Sequence, residues 1–529
     1  MRSILSALFA TSVFAFSSFT FQSASAQTVD ILSGLLAKKN VKYSDRSFPT
    51  RNMKGFYAAR DYTPIWLTAG QLNEQGLALM DEVGNSYRDG LDPSEYLAGL
   101  SGFSDIATQA EAARLELALS HTFLTLGRDL FSGVTTPSVT DPNIIIKRKK
   151  MDSAQWLEGA ANTGVVSMLR TLRPSHPQYA QLRQMLGGYR SLLLRGGWQK
   201  ITKGPTLKPG MTDPRVNNMR ENLMARGYDL GADDPNFYDE GLVEAMKHFQ
   251  MRHGLTADGV AGPNTFKAMS VSAEDRVNQL AINLERWRWL PRNLGRSHVL
   301  VNQAGFELFM VKGGKTVDNR RVIVGKPFHQ SPMFSGNIAY AEFNPTWTVP
   351  LSIAGKEMLP KIRNNPAYLK DKNYLIYKGW GAKAKPINPF AVDWSAVSAS
   401  KFPYRIVQQP GPRNALGQVK FIFPNKFSVY LHDTPSRNLF ARSGRAFSHG
   451  CIRVEKPLEF ASLIYSLQGG LNPKKIQGII KSKKQTRIRL KNKLPVHLAY
   501  FTAWINEDGV PLFFEDVYKR DKLVSKYLF

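Results

Sequence analysis

The residues of this chain that are best suited to nucleophilic chemistry lie close together near its C-terminal end. Cys451 is the only cysteine among 529 residues, and it ends the run Ser448-His449-Gly450-Cys451. A second histidine, His432, lies upstream of this run. A thiol reacts as its thiolate, and a nearby histidine can remove the proton. The residue types and their spacing therefore predict a cysteine acyl-transfer site.

Two extended segments are needed to position these groups. Apolar and polar residues alternate through 427–432, which predicts a half-buried strand whose polar face carries Tyr430 and His432. Turn-forming residues follow, and an extended pattern resumes after the cysteine. If residues 449–453 are extended, Arg453 lies on the same side as the thiol. Either histidine or the arginine could favour the thiolate, and the residues alone leave open which histidine is the base.

The backbone next to the thiol has a function of its own in this hypothesis. Gly450 lets the chain approach a bound carbonyl, so that amides beside Cys451 could stabilise an oxyanion. Two alternatives stand beside acyl transfer. A lone cysteine is often a small buried hydrophobe, and His-x-Cys with a distant histidine offers three metal ligands. The polar surroundings weaken the first alternative, and the lack of an obvious fourth ligand weakens the second.

The run from His432 to Arg453 resembles the signature of the L,D-transpeptidases with a YkuD-type catalytic domain. That signature is a histidine, a spacer, Ser/Thr-His-Gly-Cys, an apolar residue and then Asn or Arg. The resemblance implies that Cys451 is the nucleophile and His432 the general base and acid. It also implies that the backbone carbonyl of Asp433 orients His432.

Further positions follow from the same resemblance. The residues that would shape the site near the oxyanion are Ser448, His449 and Gly450. Tyr430 and Arg453 would line the substrate pocket. The segment that contains Asn344 and Trp347 resembles the substrate floor of the family, and core packing is the alternative for Trp347.

The first residues predict an export signal. A short basic start and an apolar run precede Ala24-Ser25-Ala26, an A-x-A cleavage motif. We therefore expect residues 1–26 to be a signal peptide and the mature protein to lie in a periplasm, with an uncleaved anchor as the alternative. No other segment of the sequence has an apolar run of spanning length, so no transmembrane segment is expected after cleavage. A single exported cysteine fits a reactive thiol.

The charge is strongly basic, with 70 Lys and Arg against 42 Asp and Glu and a net charge of +28. No nucleic-acid recognition motif accompanies it, and export argues against a nucleic-acid partner. An anionic wall polymer or membrane surface is the better partner. A generally solvated basic surface explains the charge equally well.

The pattern predicts several domains. Residues 27–203 are expected to form a mostly helical scaffold, in which Gly133 should end a long helix. One face of that helix carries Leu115, Leu119, Phe123, Leu126 and Leu130. Residues 204–272 resemble a three-helix peptidoglycan-binding module, whose hallmarks here are Phe249-Gln250, Gly254-Leu255 and Asp258 to Gly262. Such modules can be purely structural, so no sugar contacts are assigned.

Residues 273–529 are expected to form the catalytic domain, which opens with a helix and changes to strands at His298. The strand pattern lapses over about 351–405, which predicts an insertion that caps the active site. The predicted fold is therefore a multi-domain α+β chain. It combines a helical N-terminal scaffold, a small three-helix peptidoglycan-binding-like module and a β-rich YkuD-like catalytic domain with a capping insertion.

The resemblance implies a peptidoglycan L,D-transpeptidase that forms 3→3 crosslinks through a thioester of a tetrapeptide donor stem. It implies stem peptides and glycan as partners, inhibition by carbapenems, and no metal or organic cofactor. L,D-carboxypeptidase activity, D-amino acid exchange and lipoprotein attachment would use the same acyl-enzyme. A wall-binding structural protein is the non-enzymatic alternative. A papain-like peptidase fits less well, because there the cysteine precedes the histidine. Oligomeric state is not encoded in any motif.

Overall fold

The computed structural model describes residues 21–100, 107–381 and 383–529, except the side chains of residues 21–27. Most of the predicted signal peptide, residues 1–20, lies outside the described residues. The predicted cleavage motif falls in the helix that begins at Phe21. No helix of the described residues is long and apolar enough to cross a membrane.

Helices predominate in the described residues up to 289, and strands predominate from 298 onward. The helices are α1 (Phe21–Ala37), α2 (Lys54–Ala58), α3 (Glu74–Gly84), α4 (Pro93–Leu97), α5 (Gln109–Ser132), α6 (Pro137–Thr140), α7 (Ser153–Thr163), α8 (Val165–Leu172), α9 (Pro177–Leu194), α10 (Pro214–Met224), α11 (Glu240–Arg252), α12 (Pro263–Met269), α13 (Ala273–Trp289), α14 (Leu351–Ile353), α15 (Leu359–Asn364), α16 (Ala367–Asp371), α17 (Pro457–Ser466), α18 (Pro473–Lys481) and α19 (Arg520–Leu528). The strands are β1 (Asn40–Tyr43), β2 (Arg46–Pro49), β3 (Leu67–Thr68), β4 (Gln71–Leu72), β5 (His298–Asn302), β6 (Glu307–Lys312), β7 (Lys315–Gly325), β8 (Phe334–Phe343), β9 (Trp347–Thr348), β10 (Tyr374–Lys378), β11 (Pro386–Ile387), β12 (Tyr404–Gln408), β13 (Val419–Ile422), β14 (Leu431–His432), β15 (Ala446–Ser448), β16 (Ile452–Val454), β17 (Thr486–Ala499), β18 (Ala503–Ile505) and β19 (Pro511–Phe513). Short 3-10 turns lie at Ser86–Asp89, Pro389–Ala391 and Arg437–Ala441, and a π-helical turn at Ala354–Met358.

The first compact unit is mainly helical and contains the described residues up to 134 together with 149–174. Its central helix is α5, whose predicted apolar face is buried. Thr108 and Glu111 form a reciprocal capping box at its start, and Gly133 ends it with a φ of 89°. The sequence-based prediction of this helix and its end is confirmed.

The second compact unit contains residues 135–148 and 175–529. Here α9 packs against α13 through one apolar cluster, to which Tyr179 and Leu182 contribute from α9 and Leu284 and Trp287 from α13. The apolar face of α9 is therefore buried against α13, and both helices lie in the second unit. The scaffold boundary expected at residue 203 remains a prediction.

A nine-stranded sheet is the centre of the second unit. Its order is β15-β7-β16-β14-β13-β8-β17-β5-β6, and β6 also pairs with β7, so that the sheet closes on itself. The interior is filled by apolar side chains that alternate along the strands, among them Val299, Val301, Leu308, Met310, Val322, Val324, Ile338 and Phe421. This closed sheet is the rigid frame that holds the candidate site.

The expected insertion has a small fold of its own. A second sheet with the order β11-β10-β12-β9 packs against its helices. Its core includes Met358, Ile362, Trp394, Phe402 and Ile406. The strands β10 and β11 were not predicted, because they contain only five and two residues, too few for a clear period.

The strand that carries His432 is shorter than predicted. Only Leu431 and His432 form β14. The side chain of Asn425 accepts hydrogen bonds from the N–H groups of Phe427 and Val429 at 3.0 and 3.2 Å and donates to the Val429 carbonyl at 2.7 Å. Asn425 thus holds residues 425–429, which precede β14, in a turn. Leu431 still faces the core as predicted.

Three helices, α10 to α12, form a unit around one apolar core within residues 201–269. Gln250, one of the hallmark residues, donates to Val260 O at 2.9 Å and accepts from Gly259 N at 2.9 Å. Its side chain therefore fastens α11 to the turn before α12. This internal contact explains why a glutamine at position 250 suits the fold of the unit.

Candidate functional site

The candidate site is built where β14 lies parallel to β16. His432 pairs with Arg453 and Leu431 with Ile452. The Ile452 N–H donates to the carbonyl of Tyr430 at 3.1 Å. Leu431 and Ile452 are completely buried, and this anchors both strands. Because Cys451 immediately precedes β16, the pairing sets the thiol and the imidazole on neighbouring strands.

Cys451 is partly exposed, and its Sγ lies 3.7 Å from the carbonyl oxygen of Ser428. The enclosed position of the sulfur raises the pKa of the Cys451 thiol. Hydrogen bonds from Tyr430 and the charge of Arg453 act in the opposite direction but have a smaller effect. The resting cysteine is therefore a neutral thiol at physiological pH.

His432 is almost completely buried, and its Nδ1–H donates to the backbone carbonyl of Asp433 at 2.5 Å. This bond fixes the tautomer in which Nε2 is the basic nitrogen. Burial, followed by the charge of Arg453, lowers the pKa of His432 to about 3. The imidazole is therefore neutral at physiological pH.

The Asp433 residue is itself tightly held. Its carboxylate accepts from the N–H groups of Gln418 at 2.8 Å and Thr434 at 2.7 Å. Gly417 has a φ of +59°, and a Cβ at that position would lie 2.3 Å from Asp433 Cγ. A residue with no side chain at 417 thus allows the carboxylate to dock, and the docked carboxylate fixes the carbonyl that orients His432.

The nucleophile loop, residues 448–451, is closed by two serine hydroxyls. Ser448 Oγ donates to Cys451 O at 2.6 Å and accepts from Gly450 N at 3.1 Å. Ser331 Oγ donates to Gly450 O at 2.8 Å. The Gly450 N–H is therefore engaged by Ser448, which leaves Cys451 N–H as the better oxyanion donor of the two.

His449 contacts the insertion. Its Nε2–H donates to Glu357 Oε1 at 2.7 Å, and its ring centroid lies 4.8 Å from that of His329. Burial, and then the charge of His449, lowers the pKa of His329. His449 is thus a link between the nucleophile loop and the π-helical turn that carries Glu357.

Tyr430 and Arg453 flank the thiol. The Tyr430 ring lies 5.6 Å from the His432 ring, edge to face. Burial and then the Cys451 charge raise the pKa of Tyr430 far above its ordinary value. Arg453 Nε is buried and has no hydrogen-bond partner among the described residues. Both side chains are suitably placed for contacts with a substrate, which remain predictions.

Asn344 and Trp347, the residues of the expected substrate floor, both make structural contacts. The Asn344 side chain donates to the carbonyls of Ile479 and Lys484, at 2.9 and 3.2 Å, so the amide is used to cap the end of α18. Trp347 is in β9 and packs on the core of the insertion, with its ring 6.4 Å from that of Tyr374. The Asn344 amide is thus already engaged by backbone carbonyls, and the Trp347 ring packs as its alternative interpretation predicts. A contact of either residue with a substrate remains a prediction.

Three residues near the site were not predicted from the sequence: Glu357, His329 and Ser331. Each comes from a distant part of the chain, and neither a serine nor a glutamate alone carries a local signal. His329 is one of only nine histidines, and this rarity is the one signal in the sequence that could have drawn attention to it. Among the described residues, no group of three or more His, Cys, Asp or Glu side chains is arranged to hold a metal ion.

Three family models match separate parts of this chain. A model described as a scaffold domain matches residues 51–186. One described as "Putative peptidoglycan binding domain" matches residues 212–269. The YkuD model, described as an L,D-transpeptidase catalytic domain, matches residues 296–484, which contain the site.

Individual relatives are similar over parts of their length. A Haemophilus influenzae protein named "Putative L,D-transpeptidase" is 35% identical over 268 residues, which are 49% of this chain and 53% of that protein. A Bacillus licheniformis protein named "N-acetylmuramoyl-L-alanine amidase CwlL" is 36% identical over 70 residues, 13% of this chain and 19% of that protein. The chain thus spans about half of the first relative and about a fifth of the second.

Among solved structures, an L,D-transpeptidase fragment from Xylanimonas cellulosilytica is similar over 56% of this chain and 98% of that chain. Its sequence identity is 15% and its TM-score 0.16.

Proposed function

Because the chain carries a YkuD-type L,D-transpeptidase catalytic domain together with a scaffold domain and a peptidoglycan-binding domain, we propose that it forms 3→3 crosslinks in peptidoglycan. The donor is a tetrapeptide stem, and the acceptor is a side-chain amine of a neighbouring stem. The pairing of β14 with β16 is the observation that carries this proposal, because it brings His432 beside the strand that directly follows Cys451.

In the first step, Sγ of Cys451 attacks the carbonyl carbon before the terminal D-Ala. The resting pair is neutral, because the pKa of His432 is about 3 and that of the thiol is raised. The thiol proton therefore moves to His432 Nε2 as the S–C bond forms. The C–N bond then breaks, D-Ala leaves with that proton, and the stem remains as a thioester.

In the second step, the amine of the acceptor stem attacks the thioester carbonyl. His432 takes the amine proton and returns it to the departing sulfur, so that an amide is formed and the free thiol is restored. The Cys451 N–H stabilises the oxyanion in both steps. A thioester suits this reaction because it is activated towards amines.

The insertion supports transfer over hydrolysis in this proposal. Glu357 connects it to His449, next to the nucleophile. A cap that covers the thioester excludes water while the acceptor enters. Arg453, with its buried unpartnered Nε, offers a donor to a carboxylate of the stem.

The remaining parts of the proposal concern the environment. We place the mature protein in a periplasm, where the module at 204–272 holds it on the wall and the basic surface favours an anionic polymer. Carbapenems should acylate Cys451 in place of the donor stem.

The test is to incubate the purified protein with disaccharide-tetrapeptide and to follow products and intact mass, with Cys451→Ala alongside. We expect a 3→3 dimer and a thioester adduct in the wild type, and neither in the variant. Release of tripeptide without dimer would replace the proposal by a carboxypeptidase. Wall binding without adduct or product would replace it by a structural role.

A further inference from the structure

A short segment interrupts the first unit along the chain but belongs to the second unit. Residues 135–148, which we name the strap, are part of the second unit, although the residues on both sides of them in the chain belong to the first. Ile145 N donates to Met333 O at 2.8 Å, and Met333 N donates to Asn143 O at 2.8 Å. Ile144 and Met333 are completely buried in the apolar cluster that fills the closed sheet. The strap is thus built into the second unit, where it contacts Met333, the residue that directly precedes β8.

The strap supplies the charge partner of a buried arginine. Arg520, at the start of α19, is completely buried. Its Nε donates to Asp141 Oδ2 at 2.8 Å, and its Nη2 donates to Ser331 O at 3.1 Å. A buried guanidinium is costly unless it is paired and hydrogen-bonded. The position of Arg520, and with it that of Ser331, therefore depends on Asp141.

Ser331 transfers this constraint to the nucleophile loop. Its N–H donates to the hydroxyl of Tyr518 at 3.3 Å, and its Oγ accepts from Gly325 N at 3.0 Å. The same Oγ donates to Gly450 O at 2.8 Å. Ser331 is completely buried, so no water replaces these partners easily.

The carbonyl of Gly450 belongs to the same peptide plane as the N–H of Cys451. In a trans peptide the carbonyl and the N–H point in opposite directions, so a bond that fixes one fixes the other. Among the described residues, the Cys451 N–H donates to no protein acceptor. It is therefore available to the oxygen of an acyl group on the adjacent sulfur.

We propose that Asp141, Arg520 and Ser331 are positioning residues that hold the Gly450–Cys451 peptide with its N–H directed at the acyl oxygen. The inference rests on the proposed function only in its claim that Cys451 is acylated. Through the strap, the chain of the scaffold region thereby contributes to the geometry of the nucleophile.

The test compares two reactions of the same thiol. Acylation by p-nitrophenyl acetate forms an S–C bond, passes through an oxyanion and releases nitrophenolate. Alkylation by iodoacetamide displaces iodide and forms no oxyanion. Both are followed by intact mass on the full chain, for the wild type, Ser331→Ala and Asp141→Asn. Cys451→Ala defines the background.

We expect the acylation rate to fall about tenfold in Ser331→Ala and about threefold in Asp141→Asn, while the alkylation rate changes less than about twofold. With the tetrapeptide donor, kcat should fall and KM should stay. Asp141→Asn keeps the Oδ1 contact to Asn143 N and removes the negative charge, so it tests the idea even if Ser331→Ala does not fold.

Asp239→Asn is the matched control. Like Asp141, Asp239 pairs with a buried arginine through Oδ2, here Arg220 at 2.7 Å. Each aspartate also accepts a backbone N–H through Oδ1, which in Asp239 caps α11. We expect a comparable loss of thermal stability without any change in acylation.

Equal losses of acylation and alkylation, or no loss of either, would overturn the inference. A wild type that reacts with the ester but not with the tetrapeptide would overturn the transpeptidase proposal and leave the positioning test intact.

Discussion

At the scale of single residues, the site is a neutral thiol beside a neutral imidazole. His432 is fixed by one carbonyl and buried, and Cys451 is partly enclosed. The resemblance of one sequence run to a known signature predicted Cys451, His432 and the Asp433 carbonyl as a group, and the structure has the contact between His432 and that carbonyl. Ser331 and Glu357 could not, because their contacts with the run depend on the tertiary fold.

The raised pKa of Cys451 predicts an unusual pH dependence of its reactivity. The alkylation rate with iodoacetamide should still increase above about pH 8.5, the ordinary thiol value, because burial delays formation of the thiolate. The measurement is the rate of mass addition as a function of pH. A plateau near pH 7 would show instead that a cation stabilises the thiolate in the resting state.

At the scale of elements, short turns decide where the site residues lie. Asn425 shortens β14, and Gly417 makes room for the Asp433 carboxylate. The long helices α5 and α13 were predictable from their periodicity and end signals. The strands of the insertion were not, because strands of two to five residues are too short to give a clear period.

Gly417→Ala should damage both stability and activity. The new Cβ would lie 2.3 Å from Asp433 Cγ, on a backbone with a φ of +59°. We expect a loss of about 3 kcal/mol in the free energy of unfolding and about a tenfold lower rate of tetrapeptide consumption. Gly469→Ala is the control, since it has a φ of +67° but no atom within 4 Å of its Cβ. It should cost about 1 kcal/mol and leave the rate unchanged.

Glu357→Ala should change the outcome of the reaction. Loss of the hydrogen bond to His449 should loosen the insertion over the thioester, so the ratio of hydrolysed to crosslinked product should rise about threefold. Product ratios from purified donor stems give the answer. Asp371→Ala removes an exposed carboxylate of the same insertion and should leave the ratio unaltered. An unchanged ratio in Glu357→Ala would mean that this contact does not control access of water.

At the scale of the whole molecule, the two compact units do not follow the order of the chain. The composition and periodicity predicted a multi-domain α+β protein, and this is confirmed. They did not predict that α9 packs on α13 or that residues 135–148 join the second unit. The position of a helix or segment depends on which other apolar surface covers its apolar face. A single sequence shows that such a face exists but not which element packs on it.

We expect three buried or half-buried histidines to make the second unit sensitive to acid. Burial is the main cause that lowers the pKa of His432 to about 3, and of His176 and His497 to about 4. Below about pH 6.5 the unfolded chain binds protons that the folded chain does not. The free energy of unfolding should therefore fall as the pH decreases, by up to about 1.4 kcal/mol per pH unit for each histidine.

Urea unfolding between about pH 5 and 7.5 measures this slope. His497→Gln should reduce the slope, because one histidine no longer takes part, even if the variant is less stable at every pH. An unaltered slope in that variant would show that other groups cause the acid sensitivity.

The placement of the strap has a consequence for the order in which the chain folds as it emerges, N-terminus first, on the side of the membrane where it folds. Ile144 pairs with Met333, which follows it by about 190 residues. The first unit can close as soon as residue 174 has emerged, but the apolar run Ile144 to Ile146 has to wait for Met333. Chaperones that bind this run during the interval should therefore govern the yield of the folded protein.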